Sequence, residues 1–418
     1  MVAKPDESMT LAGTGLHTGV AALNRIGSAL AAVGFTKPSL DIDALKDAAM
    51  RRAHFSDFGT WAIEEPLERL LRAYHDEARL TTLGRITVRE MLVSLLENLL
   101  RLEQDRVRFP AVEQQAIRTP VFITGLPRTG TTLLHGLLTE DPENRVPLTW
   151  EVMYPARPAP EEIDAIRRRT DTRLEWANRL APEFRRIHPI GADLPQECIA
   201  ITAQVFMSIQ FHTTHEVPSY EQWLESGSQE LGYAFHHRLL QHLQSHRAGS
   251  RWVLKAPGHL FALSELLARY PDARIVQTHR DPLRVVASMA SLATVLKRAF
   301  SDVADPKQIG PDWTGRWAGA LDKFLQIRDR SPADQFLDVS YERLVASPIE
   351  TVESVYAFLG WQLSDTARQR MQAFLDRYPK NKHGRHRYTL EEFGLDAATE
   401  AARFRPYCER FDIATSSL

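Results

Sequence analysis

Cysteine is scarce: only Cys198 and Cys408 occur in 418 residues. That excludes a disulfide framework and a cysteine-built zinc site, leaves room for one bridge at most, and makes a reducing compartment the default. Charge of one sign is also lacking. Lys and Arg total 51 against 53 Asp and Glu, a formal charge of −2. No global basic field exists to hold nucleic acid, so any bound anion must be met by a local cluster of donors. Nowhere do 18 apolar residues run together, which excludes a membrane-spanning helix. The opening MVAKPDESMTLAGTGLH lacks the basic-then-apolar layout of a secretion signal, and a cytoplasmic location is expected. Internal repeats and low-complexity segments are missing. With 44% hydrophobic and 25% charged residues, the composition is that of an ordinary globular chain, long enough to bury a large core.

What is present falls into two parts. Residues 1 to about 20 are small and polar, and poor order is expected there. From Val20 to about Gln115 the text reads as helices. Asp41 caps a run to Ala53, Leu67 to Leu80 has apolar residues at helical spacing, and Thr87 with Glu90 forms a capping box before a long amphipathic run. No chemistry-bearing motif falls here, so residues 1–117 read as a helical cap or a dimerisation layer, which keeps a homodimer open. At Pro120 the period changes. VFITGL (Val121 to Leu126) reads as a strand, Gly-Leu-Pro-Arg as a loop, and TGTTLLHGLLTED as a helix. The alternation repeats: a strand at Trp252 to Leu254 before KAPGH, the helix LFALSELLARYP, the strand ARIVQTH, and the helix DPLRVVASMASLATVLKRAF. FLDVSYERL (Phe336 to Leu344) and PIETVESVYAFLGW add another pair. Residues 118–418 are therefore expected to form an α/β domain, a parallel sheet flanked by helices, with helical insertions at about 151–250 and 290–333.

The segment Gly125-Leu126-Pro127-Arg128-Thr129-Gly130-Thr131-Thr132 has the shape of a phosphate loop. Its glycines permit the turn, and successive N–H groups face an anion at the start of the next helix. An ATP-binding loop needs lysine before the hydroxyl residue. Thr131 stands there instead, and the loop's only cation is Arg128, suited to a bidentate grip on an oxyanion. A P-loop nucleotide kinase or NTPase is disfavoured by that missing lysine. A catalytically inactive nucleotide-binding scaffold is the other rival.

PRTGTT after a strand resembles the 5′-phosphosulfate loop of sulfotransferases that use 3′-phosphoadenosine-5′-phosphosulfate (PAPS), in the bacterial branch with an arginine-type loop. Arg280 at a strand end, with Ser288 eight positions on, matches the spacing with which that family holds the 3′-phosphate. The likeness covers about residues 118–390 and implies a P-loop-like fold and PAPS as co-substrate. It implies sulfuryl transfer to a hydroxyl of a small-molecule, sterol-like, aryl or lipid acceptor, with no metal. Pro127, Arg128, Thr129, Gly130, Thr131 and Thr132 would then hold the phosphosulfate, and Arg280 with Ser288 the 3′-phosphate. Tyr341 would lie near the adenine or serve as a core residue. Lys382, Gly384 and Arg385 would close the 3′-phosphate end or form a solvated basic loop.

For the chemistry, the resemblance implies Glu151 as general base, placed at the strand end after the loop helix. It implies that Lys255 faces the transferring group, with Arg128 beside it. His259 lies on the turn beyond Lys255 and is a candidate to orient Glu151 or the acceptor. The histidine of the cytosolic branch sits two positions earlier, where Pro257 stands here. His188 and Glu197 mark a Pro-shaped loop read as acceptor pocket, with Glu197 a reserve base. Phe206, Met207, Phe211, Tyr220 and Trp223 line that pocket or belong to the core.

Overall fold

In the computed structural model five parallel strands form one sheet: β1 (Val121–Gly125), β2 (Asn144–Arg145), β3 (Arg251–Lys255), β4 (Arg274–His279) and β5 (Phe336–Ser340), in the order β2-β3-β1-β4-β5. The structure describes residues 38–180, 191–247, 251–301, 304–377 and 389–414. The expectation for residues 1 to 20 lies outside them. β1 and β3 read as apolar runs because both sheet faces are covered, and β4 is buried in the same way although it ends in Gln277-Thr278-His279. Phe122, Leu254 and Ile275, register neighbours, point to one core, while Val121, Ile123, Val253 and Val276 point to the other. The helix Thr131–Thr139 after β1 puts Leu134, Leu137 and Leu138 on the second face. The helices Leu263–Arg269 and Leu283–Arg298, after β3 and β4, cover the first. Connections that leave on opposite faces open a crevice at the carboxyl ends of the central strands. The sequence-read α/β class is the observed one.

The N-terminal helices pack on the first face. Asp41 caps Ile42–Ala53 by accepting from the N–H groups of Asp43 and Ala44. The second helix spans Glu64–Asp76, three residues earlier at its start than Leu67, because Pro66 fits a first turn that needs no donor. The third, Thr82–Arg108, corrects the capping-box reading. Thr81 is the cap, accepting from Gly84 N at 3.0 Å, while the Thr87 hydroxyl bonds back to the carbonyls of Leu83 and Gly84 inside the helix. Tertiary packing sets that start: a Cβ on Gly84 would lie 2.2 Å from the Phe300 carbonyl oxygen, an approach only glycine allows. Leu67, Leu70, Leu92, Leu96 and Leu99 join Phe122 and Leu254 in one continuous core.

One further expectation changes. The run Phe336 to Leu344 is strand only to Ser340, whose hydroxyl caps the helix Tyr341–Ala346 by accepting from Arg343 N. Phe206, Met207, Phe211 and Tyr220 are buried core residues, with Trp223 packed against them. Cys198 and Cys408 are both free and buried. No described helix is long and apolar enough to cross a membrane.

One buried acid gives the stability a pH dependence. Glu221, on the helix Pro218–Ser226, is fully buried, and neither carboxylate oxygen has a hydrogen-bond partner among the described residues. Burial, reinforced by Glu225, pushes its carboxyl up to about 8. The folded state therefore keeps a proton that the unfolded chain releases near pH 4.5, so stability falls as pH rises from about 4.5 to 8. Glu221→Gln is expected to remove that slope and to stabilise the protein by about 3 kcal/mol at pH 7, read from denaturant melts at pH 5, 6, 7 and 8. Parallel wild-type and variant curves across that range would refute it.

Candidate active site

The loop after β1 sits at the carboxyl edge of the sheet between β3 and β4. Three residues take positive φ: Gly125 at 140°, Arg128 at 67° and Gly130 at 90°. At Gly125 a Cβ would meet the Thr278 carbonyl oxygen of β4 at 2.4 Å, so glycine is required for the loop to leave so close to its neighbour. Thr129 points inward. Its hydroxyl donates to Leu126 O at 2.6 Å and lies 2.6 Å from the Thr278 hydroxyl, which pins the loop to β4. Thr131 is buried, whereas Arg128 and Thr132 are exposed and Pro127 is half-buried. Gly130 caps the following nine-residue helix with no side chain. The first amides of that helix accordingly face the crevice, where the dipole favours an anion.

Lys255 ends β3 beside this loop and is 2% exposed. Its ammonium donates to Glu197 Oε1 at 2.5 Å and to Thr132 Oγ1 at 3.3 Å. Glu197 arrives from a long insertion because residues 192–196 pair with 147–150. Thr149 N donates to Leu194 O, Trp150 N to Ala192 O, and Gln196 N to Pro147 O. Glu197 then starts the helix Cys198–Thr202 and keeps 16% of its side chain exposed. Two neutral imidazoles border the pair. Burial pushes His135 and His259 down to about 3, with Lys255 adding to the effect on each. The positive charge here therefore belongs to lysine and arginine.

On the other side of the loop, Arg280 follows β4 and donates from Nη1 to Arg128 O at 2.9 Å. Its guanidinium lies 4.1 Å from the Tyr341 ring centroid. Tyr341 also lies against the loop, since a Cβ on Gly130 would approach its ring at 3.2 Å. Ser288 occupies the next helix, Leu283–Arg298, and is half-buried. The structure thus brings together Arg128, Thr129, Gly130, Thr132, Glu197, Lys255, Arg280 and Tyr341.

Two sequence placements are corrected. Glu151 does not stand at a strand end; it lies in the helix Thr149–Met153 and is 1% exposed. Its carboxylate accepts from both terminal nitrogens of Arg145 at 2.9 and 2.7 Å, from Leu148 N at 2.9 Å, and from Arg247 at 3.2 Å. A carboxylate engaged by two guanidiniums and a backbone amide is built to hold β2 to the helix. His259 does not orient Glu151 either: its Nδ1 pairs with the Tyr233 hydroxyl at 2.7 Å and its ring meets Phe122 edge-on. His188, Lys382, Gly384 and Arg385 lie outside the described residues. Sequence reading missed Thr278, which sits in the polar end of β4, Gln277-Thr278-His279, where no local signal sets its hydroxyl apart. Among the described residues no group of three or more His, Cys, Asp or Glu is placed to hold a metal ion.

A parallel sheet with a glycine loop at its carboxyl edge, cations on both sides and no loop lysine defines a P-loop-like α/β protein outside the ATP-binding pattern. Residues 120–365 match the Sulfotransferase family, and the chain belongs to it. It is similar to the crystal structure of sulfotransferase STF1 from Mycobacterium tuberculosis H37Rv, with TM-score 0.79 and 35% identity, covering 89% of this chain and 100% of that one. Sulfotransferase STF9 from Mycobacterium avium superposes with TM-score 0.80 at 25% identity, over 91% of this chain and 99% of that one. A curated relative from Mycobacterium bovis, omega-hydroxy-beta-dihydromenaquinone-9 sulfotransferase Stf3, is 25% identical over 316 residues, 69% of this chain and 78% of the relative. The protein is a sulfotransferase.

Proposed function

We propose that this sulfotransferase moves the sulfuryl group of PAPS to a hydroxyl of a small-molecule or lipid acceptor, giving a sulfate ester and adenosine 3′,5′-bisphosphate. One observation carries the reading: the Arg280 guanidinium is hydrogen-bonded to the Arg128 carbonyl and stacked on Tyr341. Grips for the two ends of one nucleotide then share a wall. The amides from Arg128 to Thr132 hold the phosphosulfate, Arg280 and Ser288 hold the 3′-phosphate, and Tyr341 borders the nucleoside. A lipid acceptor is supported by the relative whose name gives a hydroxylated menaquinone derivative as its substrate.

The acceptor oxygen attacks sulfur in line, the sulfur–bridging-oxygen bond breaks, and its electron pair stays on the 5′-phosphate. Glu197 takes the acceptor proton, a role for which Glu151 is unsuited because arginines already occupy its oxygens. Lys255 and Arg128 stabilise the charge that develops on the bridging oxygen. Metal-free thermal shifts test the donor class. Adenosine 3′,5′-bisphosphate at about a hundred times its Kd is expected to raise the melting temperature by about 3 °C or more, with ADP and ATP doing far less. Arg280→Ala should weaken that binding about 10- to 100-fold. Equal shifts with ATP, or an unchanged Kd in Arg280→Ala, would sink the assignment.

A further inference from the structure

We propose that Tyr407, acting through His279, is a positioning residue for the Arg280 guanidinium, which makes the C-terminal helix Ala397–Arg410 part of the nucleotide grip; this rests on the reading of Arg280 given above. His279 is the last residue of β4 and immediately precedes Arg280. It is 5% exposed and both ring nitrogens are engaged. Nε2 lies 2.8 Å from Asp338 Oδ1 on β5, and Nδ1 lies 2.8 Å from the Tyr407 hydroxyl. Arg328 donates to both Asp338 oxygens, at 2.6 and 2.5 Å. An ionised carboxylate only accepts, so the imidazole proton sits on Nε2 and Nδ1 accepts from the tyrosine O–H. Burial holds the imidazole below its ordinary range, which keeps it in that neutral form. The Phe411 ring covers it at a centroid distance of 4.1 Å.

These contacts exceed what joining the strands requires. β4 and β5 are already laddered to their ends, His279 standing opposite Ser340. Burying a histidine and most of a guanidinium, beside a carboxylate that stays 40% exposed, costs desolvation that an apolar cluster would avoid while holding the sheet as well. What the ring bonds add is a fixed orientation of His279, and with it the direction in which the chain leaves β4. The next side chain is the one that reaches Arg128 O and lies over Tyr341. A small rotation at this point moves a guanidinium tip several ångströms out along its long stem, so fixing the strand end fixes the grip.

Tyr407→Phe keeps the buried ring and deletes only the O–H. The Kd for adenosine 3′,5′-bisphosphate and the KM for the donor are expected to rise about three- to tenfold. At saturating donor, kcat and the acceptor KM should stay within about twofold. Asp338→Asn, which disturbs the other side of the ring, should give the same split. A folded Tyr407→Phe protein with unchanged Kd and donor KM overturns the proposal, as does a loss confined to kcat. If Arg280→Ala itself leaves Kd unchanged, the grip is misassigned and the proposal falls with it. If Arg280→Ala weakens binding and Tyr407→Phe does not, only the step through His279 is wrong. A wild-type measurement covers a variant that fails to fold. Adding the bisphosphate should shift the His279 ring 15N resonances, with the Nε2–H tautomer retained, and resonances that do not move at saturation would overturn the proposal.

Discussion

Glu197→Gln should lower kcat by about two to four orders of magnitude while leaving the Kd for adenosine 3′,5′-bisphosphate within about threefold. The amide keeps the shape and one acceptor oxygen but cannot take a proton. Glu197 is the carboxylate that combines partial exposure with direct contact to the cation beside the loop. Glu151→Gln supplies the contrast. It leaves Arg145, 3% exposed, without its buried counter-charge, so the loss should appear in folding, at about 3–5 kcal/mol, and the surviving folded enzyme should keep its turnover. Single-turnover assays on the two variants, corrected for folded fraction by circular dichroism, separate the roles. A fully active Glu197→Gln beside a folded but inactive Glu151→Gln would return the proton-transfer role to Glu151.

The placement of these two glutamates shows where the sequence stops being readable. The loop from Gly125 to Thr132 was legible because strand, glycine turn and helix follow one another within a dozen residues, and local backbone requirements determine it. The position of Arg280 was legible for the same reason, as the residue that leaves a strand just before the Asp281-Pro282 turn. For Glu151, distance along the chain after the loop helix points to a strand end. The local sequence Leu148-Thr149-Trp150-Glu151 instead starts a short helix, and the carboxylate turns inward to Arg145. Glu197 depends on residues 192–196 pairing with 147–150 across the base of an insertion, a long-range event with no periodicity to announce it. The shift of the third helix start from Thr87 to Thr81 has a similar origin, since the approach of Phe300 to Gly84 comes from more than two hundred residues away. Tyr407 and His279 were illegible because their value lies in a contact between the C-terminal helix and the sheet.

Lys255→Met carries the second large effect and tests whether Lys255 and Glu197 act as a unit. The methionine stem fills the same buried corridor at the end of β3 but removes the charge that reaches Glu197 and Thr132. If Lys255 stabilises the bridging oxygen, kcat should fall by about two to three orders of magnitude, in the range found for removing one preorganised donor. Lys255→Arg should rescue little, because a planar fork is a poor substitute for a compact ammonium held between a carboxylate and a hydroxyl. Since the two side chains touch, each single variant also disturbs the other: the lysine loses its buried counter-charge in Glu197→Gln, and the glutamate loses its orienting partner in Lys255→Met. The double variant Glu197→Gln/Lys255→Met should therefore be little slower than the worse single one, a coupling of more than about 1.4 kcal/mol on the barrier. Rates that multiply would mean that the two groups act on separate steps, and the contact at 2.5 Å would then be structural.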